Sequence, residues 1–419
     1  MFQWKKCVSA ATGLVLISTI LIGSVSASTV AQGQEAEPKS YRIVALGDSL
    51  TVGYEPEMDE NSKPYGFVER LYEQGLFHGR ATISNYGIIG LKGEGLHHFV
   101  EAAKKGQPIS ADEIQAELPD PRAGEIGASA VQMKTDIGSA DLITITIGGN
   151  DFRPIIESAL KLGSEDFTLS MENLFTSYIT SMTSVIGNLH ELNSDALIVV
   201  ADQYQPIPSI ANQTTYPKLI AASDTFSSVV DKMAAGYQSQ GINVKVAHVA
   251  KEFVGGEGTM THIIVDRDIH PNQLGYETIA KVFTGAIWEE YRKPTTIDNT
   301  LPMTIVVKGQ ELKTPYQPVL RNNQNFVAIQ DIVKAVGANS KWDSQTSSAT
   351  ITYGTRTVII KIGSTSVMVN GQSVSLNTPA FLNKVGKEDK MYVPLAVLAT
   401  GLGLEVEYRS KLRTAFINP

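Results

Sequence analysis

The chain has 419 residues, of which 42% are apolar, and a formal charge of −8. That length fits two or three domains with ordinary buried cores. No basic stripe runs through it, which argues against nucleic acid as a partner.

Lys5 and Lys6 precede an apolar run of small residues from Val8 to Gly23, and Val25-Ser26-Ala27 fits a small-x-small cleavage site. The run is short for a membrane anchor and the cleavage signal follows directly, so residues 1–27 read as a secretory signal peptide. Removing it takes away two lysines and no acid, leaving −10. The only cysteine, Cys7, goes with it and lies too early to carry a lipid. The mature chain is therefore expected to lack disulfide and thiolate chemistry. A secreted or cell-wall-associated protein that relies on packing alone fits a Gram-positive bacterium.

Residues 28–40 are small and polar and read as a flexible leader. From Tyr41 onward strands and helices alternate. The strand candidates are "YRIVALGDS", "ATISNYGIIG", "DLITITIGGND", "DALIVVADQY" and "INVKVAHV", all with β-branched runs. Helical stretches lie between them, including "GFVERLYEQG" and "SMENLFTSYITSMTSVIGNLHEL". In the second, Leu174, Tyr178, Met182, Ile186 and Leu189 recur at helical spacing. A last helix, "NQLGYETIAKVFTGAIWEEYRK", closes the unit near Lys293. Such alternation predicts a parallel sheet covered by helices on both faces over residues 41–293.

Residues 294–302 are polar, flanked by prolines, and read as a linker. Residues 303–419 carry an internal repeat. "FVAIQDIVKAVGANSKW" from Phe326 matches "YVPLAVLATGLGLEVEY" from Tyr392, with Gly337 facing Gly403 and Trp342 facing Tyr408. Upstream, "IVVKGQEL" resembles "VMVNGQSV". Each unit predicts a hairpin with a Lys-Gly or Asn-Gly turn, a strand, a short helix ending at glycine, and closing strands. Trp342 and Tyr408 are read as core residues rather than a sugar-stacking platform.

The chemistry turns on how the first strand ends, at Gly47-Asp48-Ser49-Leu50. A phosphate loop would need Gly-Lys-Ser or Gly-Lys-Thr, which occur nowhere. The G-x-S-x-G nucleophile elbow fails because Thr51 holds the second glycine position. What remains is a serine at the carboxyl end of a strand, where open α/β sheets bind ligands, with its N–H at a helix start. An activated serine needs a base, a group that orients the base, and oxyanion donors. Other predicted strand ends offer Asn85 to Gly90, Gly149-Asn150-Asp151 and, in "DRDIHPNQLGY", His270-Pro271. Asp48 is read as a structural hydrogen-bonding residue. His97 and His98 are adjacent, about 100° apart on a helix, and make a poor metal pair.

These four blocks in order resemble the SGNH, or GDSL, serine hydrolases. The resemblance implies a flavodoxin-like three-layer α/β/α sandwich that needs no cofactor. It implies Ser49 as nucleophile and His270 as base, with an oxyanion hole from the Ser49 N–H, the Gly90 N–H and the Asn150 amide. The family's acid usually stands three residues before the histidine, where this chain has Arg267. Asp268 is the first choice to orient His270 and Asp266 the second, with a backbone carbonyl as the alternative. The repeated tail resembles the copper amine oxidase N-terminal-like, or stalk, domain, a small α+β module. No histidine or cysteine follows His270, so the name does not imply copper. The expected activity is secreted ester hydrolysis of a small acyl ester, a lipid or an acetylated wall glycan. The tail is expected to fold independently and attach the enzyme to the wall. The rival is a cell-wall or glycan-binding protein on a degenerate hydrolase fold.

Overall fold

The computed structural model describes residues 39–59, 61–153, 165–211, 213–295 and 301–419. The expected signal peptide, most of the leader and residues 296–300 of the expected linker lie outside them. Among the described residues no helix is long and apolar enough to cross a membrane.

Five strands form the first sheet: β1 Tyr41–Gly47, β2 Ala81–Gly87, β3 Leu142–Thr146, β4 Leu197–Ala201 and β5 Val244–Ala247. Their order is β2-β1-β3-β4-β5, and every pair is parallel. This is the flavodoxin-like order, with its switch point where β1 meets β3. Alternate side chains go to opposite faces. Val44, Leu46, Ile143, Ile145, Ile198 and Val200 enter one core. Tyr178, Met182, Ile186 and Leu189 of the helix Glu165–Leu192 pack into it, as the periodicity predicts, whereas Leu174 of the same predicted stripe is only half-buried and stays outside the cluster. Ile43, Ala45, Leu142, Val199 and Ala201 enter the other core, against the helices Phe67–His78 and Gln273–Trp288. The fold is the expected three-layer sandwich.

The tail holds thirteen strands, β6 to β18, and two helices, Ile329–Val336 and Leu395–Gly401. Hairpins Thr304–Val307 with Gln310–Glu311 (β6, β7) and Ser366–Val369 with Gln372–Ser375 (β13, β14) open the two units. Their turns, Lys308-Gly309 and Asn370-Gly371, have positive φ at both residues, as a type I′ turn requires. The units interlock. The first hairpin pairs with the last strand, β18 Thr414–Asn418, through β6. The central strands β9 Gln324–Ala328 and β16 Glu388–Pro394 pair across units.

Two expectations differ from the structure. Trp342 and Tyr408 are each 48% exposed. They lie on the edge strands β10 Asn339–Asp343 and β17 Glu405–Arg409, which have a partner on one side only. The tail also packs directly on the hydrolase domain. Leu76, Phe77 and Ala81 share a buried cluster with Val306 and Phe416 of the tail, and the Phe77 and Phe416 rings meet edge to face at 4.9 Å. Asn418 Nδ2 donates to the carbonyls of Leu76 at 2.9 Å and Gly79 at 2.7 Å, satisfying acceptors that the helix end leaves open. Arg409 reaches buried Glu73 at 3.3 Å. These contacts come from side chains far apart in sequence, which the local composition of residues 294–302 does not reveal.

Candidate active site

The first strand ends abruptly because Gly47 has φ +142, and a Cβ there would lie 2.0 Å from the Thr146 carbonyl oxygen. The chain turns into the short helix Ser49–Val52. Asp48 caps it, its Oδ1 accepting from the Leu50 N–H at 3.0 Å. The same oxygen accepts from Thr146 Oγ1 at 3.3 Å. Burial pushes the Asp48 carboxyl up to about 7 despite these bonds. The structural role read for Asp48 agrees with these contacts.

Ser49 is brought against His270, with Oγ 2.8 Å from Nε2. On the other side of the ring, Nδ1 lies 2.6 Å from Asp268 Oδ1. The His270 backbone N–H donates to that same oxygen at 2.8 Å. Burial raises the Asp268 carboxyl, but the hydrogen bonds and charge of His270 outweigh it and hold the group below its usual range. Asp266 is not part of this set: its Oδ2 lies 2.8 Å from His262 Nδ1. Arg267, between them, has φ +54, and that left-handed residue sends the two carboxylates apart.

Asn150 lines the same cleft as Ser49 and His270. Asn150 Nδ2 uses one hydrogen on the Leu91 carbonyl at 2.9 Å, leaving the other to donate. Gly90 has φ +81. Ile89 N–H is tied to Asp120 and Leu91 N–H to Ile88, whereas among the described residues the Gly90 and Ser49 N–H groups have no protein acceptor. Asp151 accepts from the Gly93 N–H at 3.1 Å, and burial pushes its carboxyl up to about 6.

The cleft beside Ser49 measures about 170 Å³. Tyr204, Pro206, Ile207 and Ile269 form much of its apolar wall, and the Tyr204 hydroxyl fixes the Ile269 carbonyl at 2.9 Å. Sequence reading missed this wall. It also missed Tyr54, whose ring lies edge-on to His270 at 4.6 Å. These are loop residues with no motif or periodicity to announce them. His97 and His98 lie apart from the cleft, and among the described residues no three His, Cys, Asp or Glu converge as a metal site.

The copper amine oxidase N-terminal domain profile matches residues 306–417. No curated protein matches the chain. Among solved structures, a lipase from a goat rumen metagenome is 20% identical, with a TM-score of 0.40 over 59% of this chain and 98% of its own. An extracellular lipase from Streptomyces rimosus is 16% identical, with a TM-score of 0.38 over 59% and 100%. A mutant acetylxylan esterase from Geobacillus stearothermophilus is 16% identical, with a TM-score of 0.36 over 61% and 99%. The GDSL-like lipase/acylhydrolase profile matches residues 45–278, more than half of the sequence and all four of the ordered blocks; the chain belongs to that family of carboxylic ester hydrolases.

Proposed function

We propose that this ester hydrolase works through Ser49 as nucleophile, His270 as base and Asp268 as the group that orients the base. The observation that carries the proposal is the continuous hydrogen-bond chain Asp268–His270–Ser49, at 2.6 and 2.8 Å. Ser49 Oγ attacks the ester carbonyl carbon while His270 Nε2 takes the hydroxyl proton. The tetrahedral oxyanion is held by the Ser49 and Gly90 N–H groups and by Asn150 Nδ2. Collapse expels the alcohol, which leaves with the proton from His270. Water then attacks the acyl-enzyme, gives its proton to His270, and Ser49 recovers that proton as the carboxylic acid departs. Asp268 accepts from Nδ1–H throughout and so keeps Nε2 free to act as the base.

The small apolar cleft supports a short acyl group, including an acetyl carried on a glycan, over a long lipid chain. The signal-peptide pattern at residues 1–27 supports secretion, and the tail supports placement at the cell wall. The rival reading of a degenerate, binding-only fold is disfavoured by the intact Ser49, His270 and Asp268. Ser49→Ala should lower hydrolysis of a chromogenic acetate or butyrate ester by several orders of magnitude without unfolding the protein. A variant keeping more than about a tenth of wild-type turnover would remove Ser49 as nucleophile. A panel of acyl lengths and acetylated polysaccharides then fixes the substrate.

A further inference from the structure

His270 and Asp268 sit on a loop whose base is pinned but whose tip needs other support. At the base, Thr261 bridges to Pro271, and the Asn272 N–H donates to the Met260 carbonyl at 2.9 Å. Between these points the catalytic pair must be held against Ser49, which belongs to a different element. We infer that His262, wedged between Glu55 and Asp266, is a positioning residue that clamps this loop to the segment following the Ser49 helix. The inference rests on the reading of Ser49 and His270 given above.

The clamp is built from both sides. His262 Nε2 lies 3.2 Å from Glu55 Oε1, and its Nδ1 lies 2.8 Å from Asp266 Oδ2. The backbone N–H of His262 donates to the His270 carbonyl at 3.0 Å, so the two histidines are locked back to back. On the facing segment, Glu55 is itself fixed, its Oε2 accepting from Gln273 Nε2 at 2.7 Å. Gln273 Oε1 accepts in turn from Arg70 at 2.9 Å. Tyr54, beside Glu55, places its ring on His270, while its carbonyl accepts from the Tyr276 hydroxyl at 2.5 Å. Adjacent residues of one segment thus grip both histidines of the loop.

The His262 and Glu55 side chains remain 22% and 26% exposed, so the pair adds little to overall stability. Its effect is geometric. Nucleophile and base must meet within hydrogen-bond reach, and a displacement of about 1 Å can cost as much as ~100-fold in rate. No part of His262 touches the reacting atoms, so it is not a catalytic residue.

The test is steady-state hydrolysis of a chromogenic acetate ester by full-length His262→Ala, Glu55→Ala, their double variant and Glu55→Gln. Ser49→Ala and His270→Ala run beside them, and thermal melting is recorded for each. His262→Ala and Glu55→Ala should each lower kcat about 10-fold or more, with KM within about twofold and melting nearly unchanged. The double variant should be no worse than either single change, because both break one clamp. Glu55→Gln, which keeps an acceptor for His262 but loses the one for Gln273, should give a kcat between those of wild type and Glu55→Ala. Full kcat in His262→Ala beside inactive Ser49→Ala and His270→Ala would overturn the clamp, as would a loss that tracks a loss of folded protein. Activity persisting in Ser49→Ala or His270→Ala would instead overturn the reading of the site itself.

Discussion

Asp48→Asn separates the burial of a carboxylate from its work as a helix cap. The native group is 2% exposed, and its carboxyl is raised from 3.8 to about 7, with burial the largest cause and the Leu50 and Thr146 bonds opposing it. In the unfolded chain the same carboxyl ionises near its ordinary value of about 4. Between those two pH values the folded state binds the extra proton, so stability falls as pH rises through this window. A shift of about three units corresponds to on the order of 4 kcal/mol once pH exceeds the folded value. Asparagine keeps an oxygen for the Leu50 N–H but cannot ionise. Guanidinium unfolding at pH 4, 5, 6, 7 and 8 should therefore give similar midpoints for both proteins at the acid end. From there the curves should separate steadily toward pH 8, with Asp48→Asn the more stable. Other groups titrate in both proteins and largely cancel in the difference, except Asp151, whose charge is among the causes that raise Asp48. Parallel curves across the range would refute the account, because the buried carboxyl would then not carry the proton that its surroundings favour.

Asp268→Ala should lower turnover by about 10⁴, the usual cost of losing a histidine-orienting carboxylate. Asp266→Ala should cost no more than about 10-fold, since it acts only through His262. Nearly full activity in the double variant would mean that another group fixes the imidazole. Truncation after Arg292 removes the partners of Leu76 and Phe77, whose burial is worth about 3–6 kcal/mol together, and strips Arg409 from Glu73. The fragment should unfold at lower denaturant than the full chain, while its folded fraction keeps turnover on a soluble ester. An unchanged midpoint would show that the contact contributes nothing, and a folded but inactive fragment would show that the tail completes the site.

The fold was legible because its signals are local. Runs such as Ile43 to Leu46 and Leu142 to Thr146 are short, apolar and β-branched, and their ends are marked by glycine. Ser49, Asn150 and His270 could be found because each sits in a motif at a predicted strand end. The choice between Asp266 and Asp268 could only be ranked. It depends on the left-handed turn at Arg267, and an arginine, unlike glycine or asparagine, gives no sequence signal for positive φ. Trp342 and Tyr408 were misjudged because an aromatic side chain states its preference for burial, not whether its strand is at an edge. Glu55 and His262 meet across 207 positions, and nothing local to either residue predicts the pairing.

The docking of the tail changes what its role can be. A module that only tethered an enzyme would need no contact with it, since effective concentration is set by the length and stiffness of the linker. Here the helix Phe67–His78 stands between the two units. Its outer end is closed by Phe416 and Asn418. Glu73, further back, is shared between Arg409 of the tail and the Tyr65 hydroxyl at 2.8 Å. On the next turn, Arg70 holds the Tyr65 carbonyl and the Gln273 side chain, and Gln273 holds Glu55. The bonds run without a break from the tail to the segment that grips His270. Such a chain of bonds does not by itself couple the tail to the site; coupling would require two alternative arrangements of it. The cluster that Val306 and Phe416 share with Leu76 and Phe77 supports reading the tail as a brace for the hydrolase domain, and the truncation after Arg292 tests that reading.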